Sequence, residues 1–533
     1  MIISFFLINK CYNKLLERLK RGEKGVYMKV ELLGALDYKK VEALLKEKNI
    51  PEEKRKELLE GIKEIEVRRK SEITASAGRL SRFQGDVFEI LGLSEDKTLE
   101  QNAKYVKNVV GMGHSSIIDH DYCVFAIKDV TPVIEQIIIE ERFSSFTIKS
   151  RREVDFYQAG FYVPNFHDKD GNIIMENREV QEIYKNHMTS LFQEYQKLIN
   201  DGIKKEDARF VLPYSFHSNI IMGVDSHTLK DMIIKYTKTD LSKIDEVKEF
   251  GEKLYDIAKE NMPYLIPIID NAKVQEKDPV QEFLDSHNIP RKHEILDSPR
   301  IYNATSHIDD TILIASIMRR YQFDYEEAKY FYETQCELDP SFKEELMRKI
   351  TFEGDKQELS QINIDVQIPT SYAIATHYTR HRTHDIMFPK FVPLPDLRQY
   401  KVVPSIEKNH HEDYKRIFME NYQLVVVLKE LYEIREEDLV YFTLSGNMAN
   451  FITNMNGKTI EHILRLRECN KAQWETREIA RGIHEEIKNL EGSEIFASVL
   501  GPTCETTGMC YEGKECCGKV YALKNCKMPP RNI

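Results

Sequence analysis

The sequence predicts an α+β fold in which two copies of one unit follow each other along the chain. Strand-like segments are followed by helical segments without regular strand–helix alternation, which favours antiparallel sheets. The same order of elements occurs on both sides of a polar stretch near residue 285. An internal repeat of this kind determines the domain organisation before any single motif is interpreted.

The first copy begins with helical residues 36–70, followed by ITASAGRLS and a helical stretch that ends in GMGHSSIIDH. The segment DYCVFAIKDV alternates apolar and polar residues and is predicted to be a strand. It is followed by IEQIIIEERFSSFTIKSRRE, a loop ending in YVP, a helix over residues 176–200 and KEDARFVLPYSF.

The second copy repeats this order. The strand-like QINIDVQIP leads into TSYAIATHYTRHRTHD, a Pro-rich loop with VVP, a helix over residues 410–433 and REEDLVYFTLSG. The final helical segment, GKTIEHILRLRECNKAQWETREIARGIHEEIKNL, has apolar residues at broadly helical spacing.

The polar stretch DNAKVQEKDPVQEFLDSHNIPRKHE has weak periodicity and is predicted to be a linker, and ILDSPRIYNATSHIDD then opens a new domain. We therefore expect a first half over 28–285 and a second half over 290–533, which ends in a Cys-rich tail. Residues 1–27 are expected to be an N-terminal extension, because Met28 opens a cleaner pattern and is an alternative start.

Composition narrows the classes of function. The chain has 533 residues, 41% hydrophobic and 31% charged, with a formal net charge of −11. Binding along a nucleic acid backbone requires clustered excess Lys and Arg, so we expect no nucleic acid partner. No run approaches the roughly 20 apolar residues needed to cross a bilayer, and the opening lacks the order of a signal peptide. A cytoplasmic protein without a membrane partner is expected.

The nine cysteines form two groups. Four are scattered and are expected in the core: Cys11, Cys123, Cys336 and Cys469. Five lie near the C-terminus: Cys504, Cys510, Cys516, Cys517 and Cys526. Their spacing is wider than in zinc knuckles, so we expect reduced thiols and no metal, with a zinc site as the alternative.

Three clusters of polar residues are candidates for binding or catalysis. Arg380, His381 and Arg382 are adjacent donors that suit an anion or a flavin edge, and the alternative is a solvated basic turn. His114 and Ser116 lie in a compact polar element, or alternatively in a capped helix end. Near the C-terminus, two arginines lie two residues apart on one helix, so only one is expected to face a site. This third cluster, for which a solvated charged face is the alternative, comprises Arg465, Arg467, Gln473 and Glu475.

Taken in this order, the clusters resemble those of the flavin-dependent thymidylate synthases. That family has an Arg-His-Arg signature followed by Ser and Arg, a Gly-His element upstream, and an Arg-Leu-Arg stretch before Ala-Gln-Trp-Glu. Here the last motif reads LRLRECNKAQWETRE, which is specific, and the resemblance spans most of each half. It implies two tandem, partly degenerate copies of the family fold.

The resemblance divides the site between the halves. In the second half, Arg467 resembles the catalytic arginine that binds the pyrimidine, and Arg398 is a candidate phosphate ligand. Lys390 stands where the signature has Ser. The residues similar to flavin-binding ones in this half are Arg380, His381, Arg382, Asn456, Lys458 and His462.

The first half has the complementary set. Its triplet, residues 140–142, reads Glu-Glu-Arg, and Tyr236 stands where Arg467 would repeat. The resemblance implies flavin contacts from Ser81, His114 and Ser116, and substrate contacts from Gln136, Ser150, Arg152 and Arg209.

The resemblance implies an FAD-dependent enzyme that methylates dUMP to dTMP with methylenetetrahydrofolate and NADPH as co-substrates. It also implies a homodimer acting as a pseudo-tetramer. Two alternatives stay open: a non-catalytic flavin- or nucleotide-binding paralogue, and a family enzyme acting on another pyrimidine nucleotide. The sequence does not decide whether the site forms within one chain or between two.

Overall fold

The computed structural model describes residues 38–287, 289, 294–381, 383–513 and 516–518. The predicted extension 1–27 and the candidate residue Arg382 lie outside the described residues.

The chain divides into two compact units, and the boundary lies between Lys70 and Ser71. In the first unit the described residues form helix α1 (Tyr38–Glu47) and most of helix α2 (Glu52–Leu80). Glu52 and Glu53 stand in the first turn of α2, where negative charge favours the helix dipole. The second unit contains every strand described below.

The sheet of the first half has three antiparallel strands: β1 (Tyr122–Val130), β2 (Ser144–Ile148) and β3 (Ser218–Asp225). Their spatial order is β1-β3-β2, so β3 is central. Strand β1 confirms the prediction for DYCVFAIKDV.

The sheet of the second half has four antiparallel strands: β4 (Arg300–Ala304), β5 (Asn363–Ser371), β6 (Asp385–Met387) and β7 (Met448–Asn456). Their order is β4-β5-β7-β6. Without the extra edge strand β4, the order of the first sheet is repeated. An α+β fold with one antiparallel sheet in each half is thereby confirmed.

Helices surround both sheets. In the first half they are α3 (Val87–Glu95), α4 (Leu99–Gly111), α5 (Pro132–Ile139), α6 (Asn177–Asn200), α7 (Lys205–Ala208), α8 (Ser226–Lys238), α9 (Asp245–Asn261), α10 (Ile266–Asp270) and α11 (Pro279–Ser286). In the second half they are α12 (Ile308–Tyr321), α13 (Tyr325–Leu338), α14 (Phe342–Arg348), α15 (Tyr372–Thr379), α16 (Pro404–Leu431), α17 (Glu436–Leu439), α18 (Gly457–Arg467), α19 (Trp474–Lys488), α20 (Glu494–Ser498) and α21 (Thr503–Thr506).

In each half, a buried glutamate accepts two hydrogen bonds from the residue that precedes an equivalent helix. Thr131, which caps α5, donates from its backbone N and its hydroxyl to Glu246 at 2.9 and 2.6 Å. Ser371, which precedes α15, donates in the same way to Glu475, both at 2.7 Å. Two such pairs at matching places indicate a duplication within the chain.

The two halves meet through equivalent residues. Pro213 and Leu444 form an antiparallel bridge, and the flanking backbone bonds run from Tyr214 N to Thr443 O and from Ser445 N to Leu212 O. Because equivalent segments pair with each other, the halves are related by a pseudo-two-fold axis at this bridge.

Two sequence-based expectations need correction. The predicted linker contains helix α11, which is capped by Asp278 through bonds from Val280 N and Gln281 N. The final helical segment is two helices, because α18 ends at Arg467 and α19 begins at Trp474. Within the described residues, no helix is both long enough and apolar enough to cross a bilayer.

Candidate active site between the two halves

A pocket of about 570 Å³ lies between the halves, and we call it the cationic pocket. The first half supplies the end of β2 with the loop after it, and the second half supplies the end of α15 and the end of α18. Its lining residues are Ser145, Phe146, Thr147, Ile148, Lys149, Ser150, Arg151, Arg152, Glu153, Arg209, Thr376, His377, Arg380 and Arg467.

Arg209 is the most buried cation of this pocket, with 2% of its surface exposed. Its Nε donates to the carbonyl of Glu206 at 3.1 Å, while one Nη is buried without a hydrogen-bond partner among the described residues. Burial, and then the charges of Arg151 and Arg152, lower the pKa of Arg209 to about 9. The charges of Glu206 and Glu475 offset this lowering only in part. A buried guanidinium with an unsatisfied Nη is unfavourable, so an anionic ligand would be stabilising here.

The loop after β2 adds two more arginines. Arg151 is buried and pairs with buried Glu135 at 2.8 Å, yet its other Nη has no hydrogen-bond partner in the described part of the chain. Arg152 donates from Nε to Glu206 at 3.0 Å. The hydroxyl oxygen of Ser150 accepts the backbone N–H of Arg152 at 3.3 Å, which fixes the turn of this loop.

Arg467 enters the pocket from the second half. Its Nε donates to Nε2 of His381 at 3.0 Å, and one Nη donates to the carbonyl of His377 at 2.9 Å. Two bonds to fixed groups hold the guanidinium plane in place. Arg465 points elsewhere and pairs with Glu461 at 3.3 Å, so one of the two arginines faces the site, as expected.

Two histidines beside Arg467 are uncharged. Burial, and then Arg467, lower the pKa of His381 to about 3. Burial, and then Arg209, Arg467 and Arg380, lower the pKa of His377 well below its usual range. His377 contacts the Thr476 hydroxyl at 3.0 Å through Nδ1. A neutral His381 can accept the hydrogen bond from Arg467, which a charged imidazole could not.

Several candidate residues lie outside the lining of this pocket. Ser81, His114 and Ser116 are exposed in the first half. At the start of α18, the side chain of Asn456 caps the helix by accepting from Thr459 N at 2.9 Å. Lys458 and His462 are half-buried on the same helix. The His462 ring packs edge-to-face against His381 at 5.1 Å and so contacts the site indirectly.

Arg398 and Gln136 are not brought to the two central arginines. Arg398 is exposed, pairs with Asp396 at 2.9 Å and lines a separate surface cleft. Gln136 lines another cavity, so within this chain it does not join Arg209 and Arg467. Residue 136 lies on α5 of the first half, whereas the corresponding part of this pocket comes from α15 of the second.

The cavity that Gln136 lines has a volume of about 330 Å³, and we call it the second pocket. Gln136 corresponds to Thr376 and Glu140 to Arg380, because Thr131 and Ser371 begin equivalent helices. The strand register agrees, since Ser145 pairs with Gly223 and Asp385 with Asn454. The second pocket is therefore the pseudo-symmetric counterpart of the cationic pocket.

The sequence analysis missed two residues of the cationic pocket. Arg151 stands between Ser150 and Arg152 in the run KSRR, and the sequence analysis used only these two neighbours of Arg151. His377 stands three residues before Arg380, one helical turn away, which places both on one face of α15.

The cysteine region shows no metal arrangement in the part of the chain that the structure describes. A small cleft is lined by Cys469, Cys504, Cys510, Cys516 and Cys517 among others. No three His, Cys, Asp or Glu side chains within the described ranges are grouped as metal ligands. Cys11 and Cys526 lie outside those ranges.

Comparisons with known proteins agree with this division into halves. Residues 65–264 and 304–490 match the model of a family described as thymidylate synthase complementing protein. The flavin-dependent thymidylate synthase of Pyrococcus furiosus is 30% identical over 131 residues, which are 24% of this chain and 51% of that relative. That of Thermococcus kodakarensis is 28% identical over 191 residues, 35% of this chain and 72% of the relative.

This chain spans between 51% and 58% of the length of the first three relatives that it matches. Among solved structures, a UMP/dUMP methylase PolB from Streptomyces cacaoi bound with 5-Br dUMP is 19% identical, with a TM-score of 0.33. The similarity covers 39% of this chain and 93% of that one. Because the family match extends over both halves and most of the sequence, the chain belongs to the thymidylate synthase complementing protein family.

Proposed function

We propose that this chain is a flavin-dependent thymidylate synthase that converts dUMP into dTMP in the cationic pocket, with methylenetetrahydrofolate as carbon donor and NADPH as reductant. The observation that carries the proposal is the meeting of Arg209 and Arg467, one from each half, in one pocket. Its volume of about 570 Å³ lies within the range of ligand sites, roughly 300–1,000 Å³.

The phosphate of dUMP supplies the acceptors that the pocket lacks. Within the described ranges, Arg209 and Arg151 each have a buried Nη without a hydrogen-bond partner, and Arg152 follows Arg151 on the loop after β2. Guanidinium groups match phosphate oxygens in shape and charge. A bound dianion would also relieve the mutual repulsion that lowers the pKa of Arg209.

Arg467 acts on the uracil ring in this proposal. A fixed cation near N3 favours the ionised base, because an opposite charge lowers a pKa. His381 and the carbonyl of His377 hold the guanidinium in position. Since the low pKa of His381 keeps it neutral, this positioning persists across the working pH range.

The residues around Arg467 also fit a flavin. Arg380 lines the pocket, and the rings of His381 and His462 pack edge-to-face beside it, so the set offers hydrogen-bond donors and an aromatic surface. These three residues would hold the isoalloxazine, with Asn456 and Lys458 at the start of α18 nearby. A reduced flavin would supply hydride, while the chain positions the nucleotide and excludes water.

We also propose that two chains pair into a homodimer that acts as a pseudo-tetramer. Ser81, His114 and Ser116 are exposed and outside the cationic pocket, so their flavin contacts would form with a second chain. Sedimentation of the purified protein tests this, and a monomer under assay conditions would contradict it.

The test of the function is spectroscopic. We expect the purified protein to show flavin absorbance, and the anaerobically reduced protein to be oxidised on mixing with dUMP and methylenetetrahydrofolate, with formation of dTMP. Flavin and dUMP binding without turnover would favour the binding-only paralogue. Turnover of another pyrimidine nucleotide instead of dUMP would replace the substrate.

A further inference from the structure

The second pocket retains the shape of a ligand site but has different chemistry. Its polar lining includes Gln136, Glu140, Lys235, Asp278 and Lys390, and its volume is about 330 Å³. The remaining lining residues are Ile137, Thr239, Asp240, Leu241, Gln275, Lys277, Pro279, Phe388, Pro389 and Phe391.

The carboxyl group of Glu140 has spare hydrogen-bonding capacity. Among the described residues it receives one long bond, from Gln136 Nε2 at 3.4 Å. The neighbouring lysines are committed elsewhere, since Lys235 pairs with Glu141 at 2.9 Å and Lys390 with Asp278 at 2.5 Å. A half-buried carboxylate without a close donor is unfavourable, so a ligand donor here would be stabilising.

A second acceptor lies next to this carboxyl group. Gln136 has 3% of its surface exposed, and its Oε1 is buried without a hydrogen-bond partner in the described structure. Its Nε2 is turned toward Glu140, so the amide presents an acceptor rather than a donor to anything else that binds. Two neighbouring acceptors without matching donors favour a ligand with more than one N–H group.

The walls of the second pocket are flat and apolar. Phe388 and Phe391 come from the loop after β6, and Ile137 and Leu241 come from the first half. Pro279, at the start of helix α11, closes the same cavity. Aromatic and aliphatic walls around a few polar groups suit a small planar ring.

We propose that the second pocket binds a small, uncharged planar heterocycle that carries two neighbouring N–H donors, held edge-on by the carboxylate of Glu140. A ring with an amino group beside a ring N–H matches a carboxylate with two parallel hydrogen bonds. A phosphorylated ligand is disfavoured, because Asp240, Asp278 and Glu140 face the cavity and its lysines are already paired.

Binding should strengthen as pH rises. Burial is the main cause that raises the pKa of Glu140 to about 7, opposed by Lys235, Gln136 and Lys390 and assisted by Glu141. Asp240, Asp278 and Lys277 also line the cavity. Because the ligand needs both carboxylate oxygens as acceptors, affinity should be lost as pH falls below about 7.

The experiment is calorimetric titration of the full chain with isocytosine, which has the two neighbouring N–H donors. Uracil is the matched probe, because its ring has the same size but lacks the amino group, and a carbonyl separates its two N–H donors. At pH 8 we expect isocytosine to bind at least about ten-fold more tightly than uracil, and this preference to shrink at pH 6. Equal binding of the two probes, or no heat with isocytosine up to millimolar concentration, would overturn the proposal.

A pair of variants locates the binding. Glu140→Gln removes one acceptor without changing size and should weaken isocytosine about ten-fold or more. Glu182→Gln is the control, because Glu182 is exposed, pairs with Lys185 and does not line the cavity. Arg209→Met should leave isocytosine binding unchanged. Loss in the control variants, or none in Glu140→Gln, would place the ligand elsewhere.

Discussion

The cationic pocket and the second pocket occupy equivalent places at the pseudo-two-fold axis, yet arginines dominate the first, whereas carboxylates and lysines balance in the second. Equivalent helices, loops and strand ends line both. At the equivalent positions of the other half, each arginine of the cationic pocket is replaced. The replacements are Glu140 for Arg380, Tyr236 for Arg467, Val440 for Arg209, Phe391 for Arg151 and Val392 for Arg152.

This difference shows that, after a duplication, one site can keep its arginines while the equivalent site loses them. Tyr236 is buried, and its hydroxyl donates to the carbonyl of Ile137 at 3.2 Å, so the position of Arg467 has become part of the core. Val440 is also buried. Restoring one charge would not rebuild a nucleotide site, because its neighbours have become apolar. We therefore expect one dUMP site per chain.

The largest effect should follow from replacing the most buried cation. Arg209→Met keeps the length of the side chain but removes its charge, and Arg209 has an unpartnered Nη beside two other arginines. Losing one or two charge-assisted bonds to phosphate, each worth about 1.5–3 kcal/mol, should raise the Kd for dUMP by about a hundred-fold. Equilibrium titration with dUMP measures this.

Arg398→Met is the control for that substitution. Arg398 is exposed and paired with Asp396, and it lines a different cleft. Within one chain its loss should leave dUMP affinity unchanged. An equal loss in both variants would show that Arg398 reaches the nucleotide from a second chain.

The second largest effect should be on the chemical step. Arg467→Ala removes the cation assigned to the uracil ring, so kcat should fall about ten- to a hundred-fold, with a smaller change in dUMP affinity. Arg465→Ala is the matched control, two residues away and paired with Glu461. Single-turnover oxidation of the reduced flavin separates the two effects.

Mixing the Arg209→Met and Arg467→Ala proteins refines this test. Both residues line one pocket of one chain, so the mixture should remain as inactive as its components. Recovery of activity would show that the working site is built between chains.

Most of the fold could be predicted from the sequence, because the alternation of apolar and polar residues in strands and the repeated order of elements are visible in the sequence itself. Strand β1 and the helix at 177–200 lie where they were predicted. Helix α11 was missed, since eight residues with a Pro start look like a linker when read alone.

The site was less predictable, since the packing of the two halves about their pseudo-two-fold axis determines which residues share a pocket. Motif spacing identified Arg209 and Arg467, but it also grouped Gln136 with them. In a duplicated chain, equivalent residues end in different pockets, and only the pairing of Pro213 with Leu444 shows which loop meets which helix. His377 was missed because an isolated histidine on an apolar helix resembles a core residue.

A smaller effect concerns pH and the neutral histidine that holds Arg467. With a pKa of about 3 in the folded state and about 6.5 when unfolded, His381 binds its proton only in the unfolded chain between these values. Stability is therefore lost as pH falls below about 6.5. At pH 5 this histidine should reduce the free energy of unfolding by at most about 2 kcal/mol relative to pH 7.

His381→Gln tests that assignment, because glutamine keeps an acceptor for Arg467 but does not titrate. Urea unfolding at pH 5 and pH 7 should show a smaller difference for the variant than for the wild type. The two proteins would show equal differences if His381 did not titrate as described.

The smallest effect should be a gain of stability in the absence of ligand. A buried guanidinium without an anion costs free energy that an apolar side chain of similar length does not. Arg209→Met should therefore increase the free energy of unfolding by about 1 kcal/mol, as happens when a binding residue is removed from a destabilised active site.

Arg151→Met should instead decrease the free energy of unfolding by about 3 kcal/mol, because it leaves buried Glu135 without its partner. Saturating dUMP, at 100 times its Kd, should stabilise the wild type by about 2.7 kcal/mol and Arg209→Met hardly at all. Urea unfolding with and without dUMP measures all three changes. If Arg209→Met were less stable than the wild type without ligand, Arg209 would be a structural residue, and the contrast between the two pockets would no longer reflect nucleotide binding.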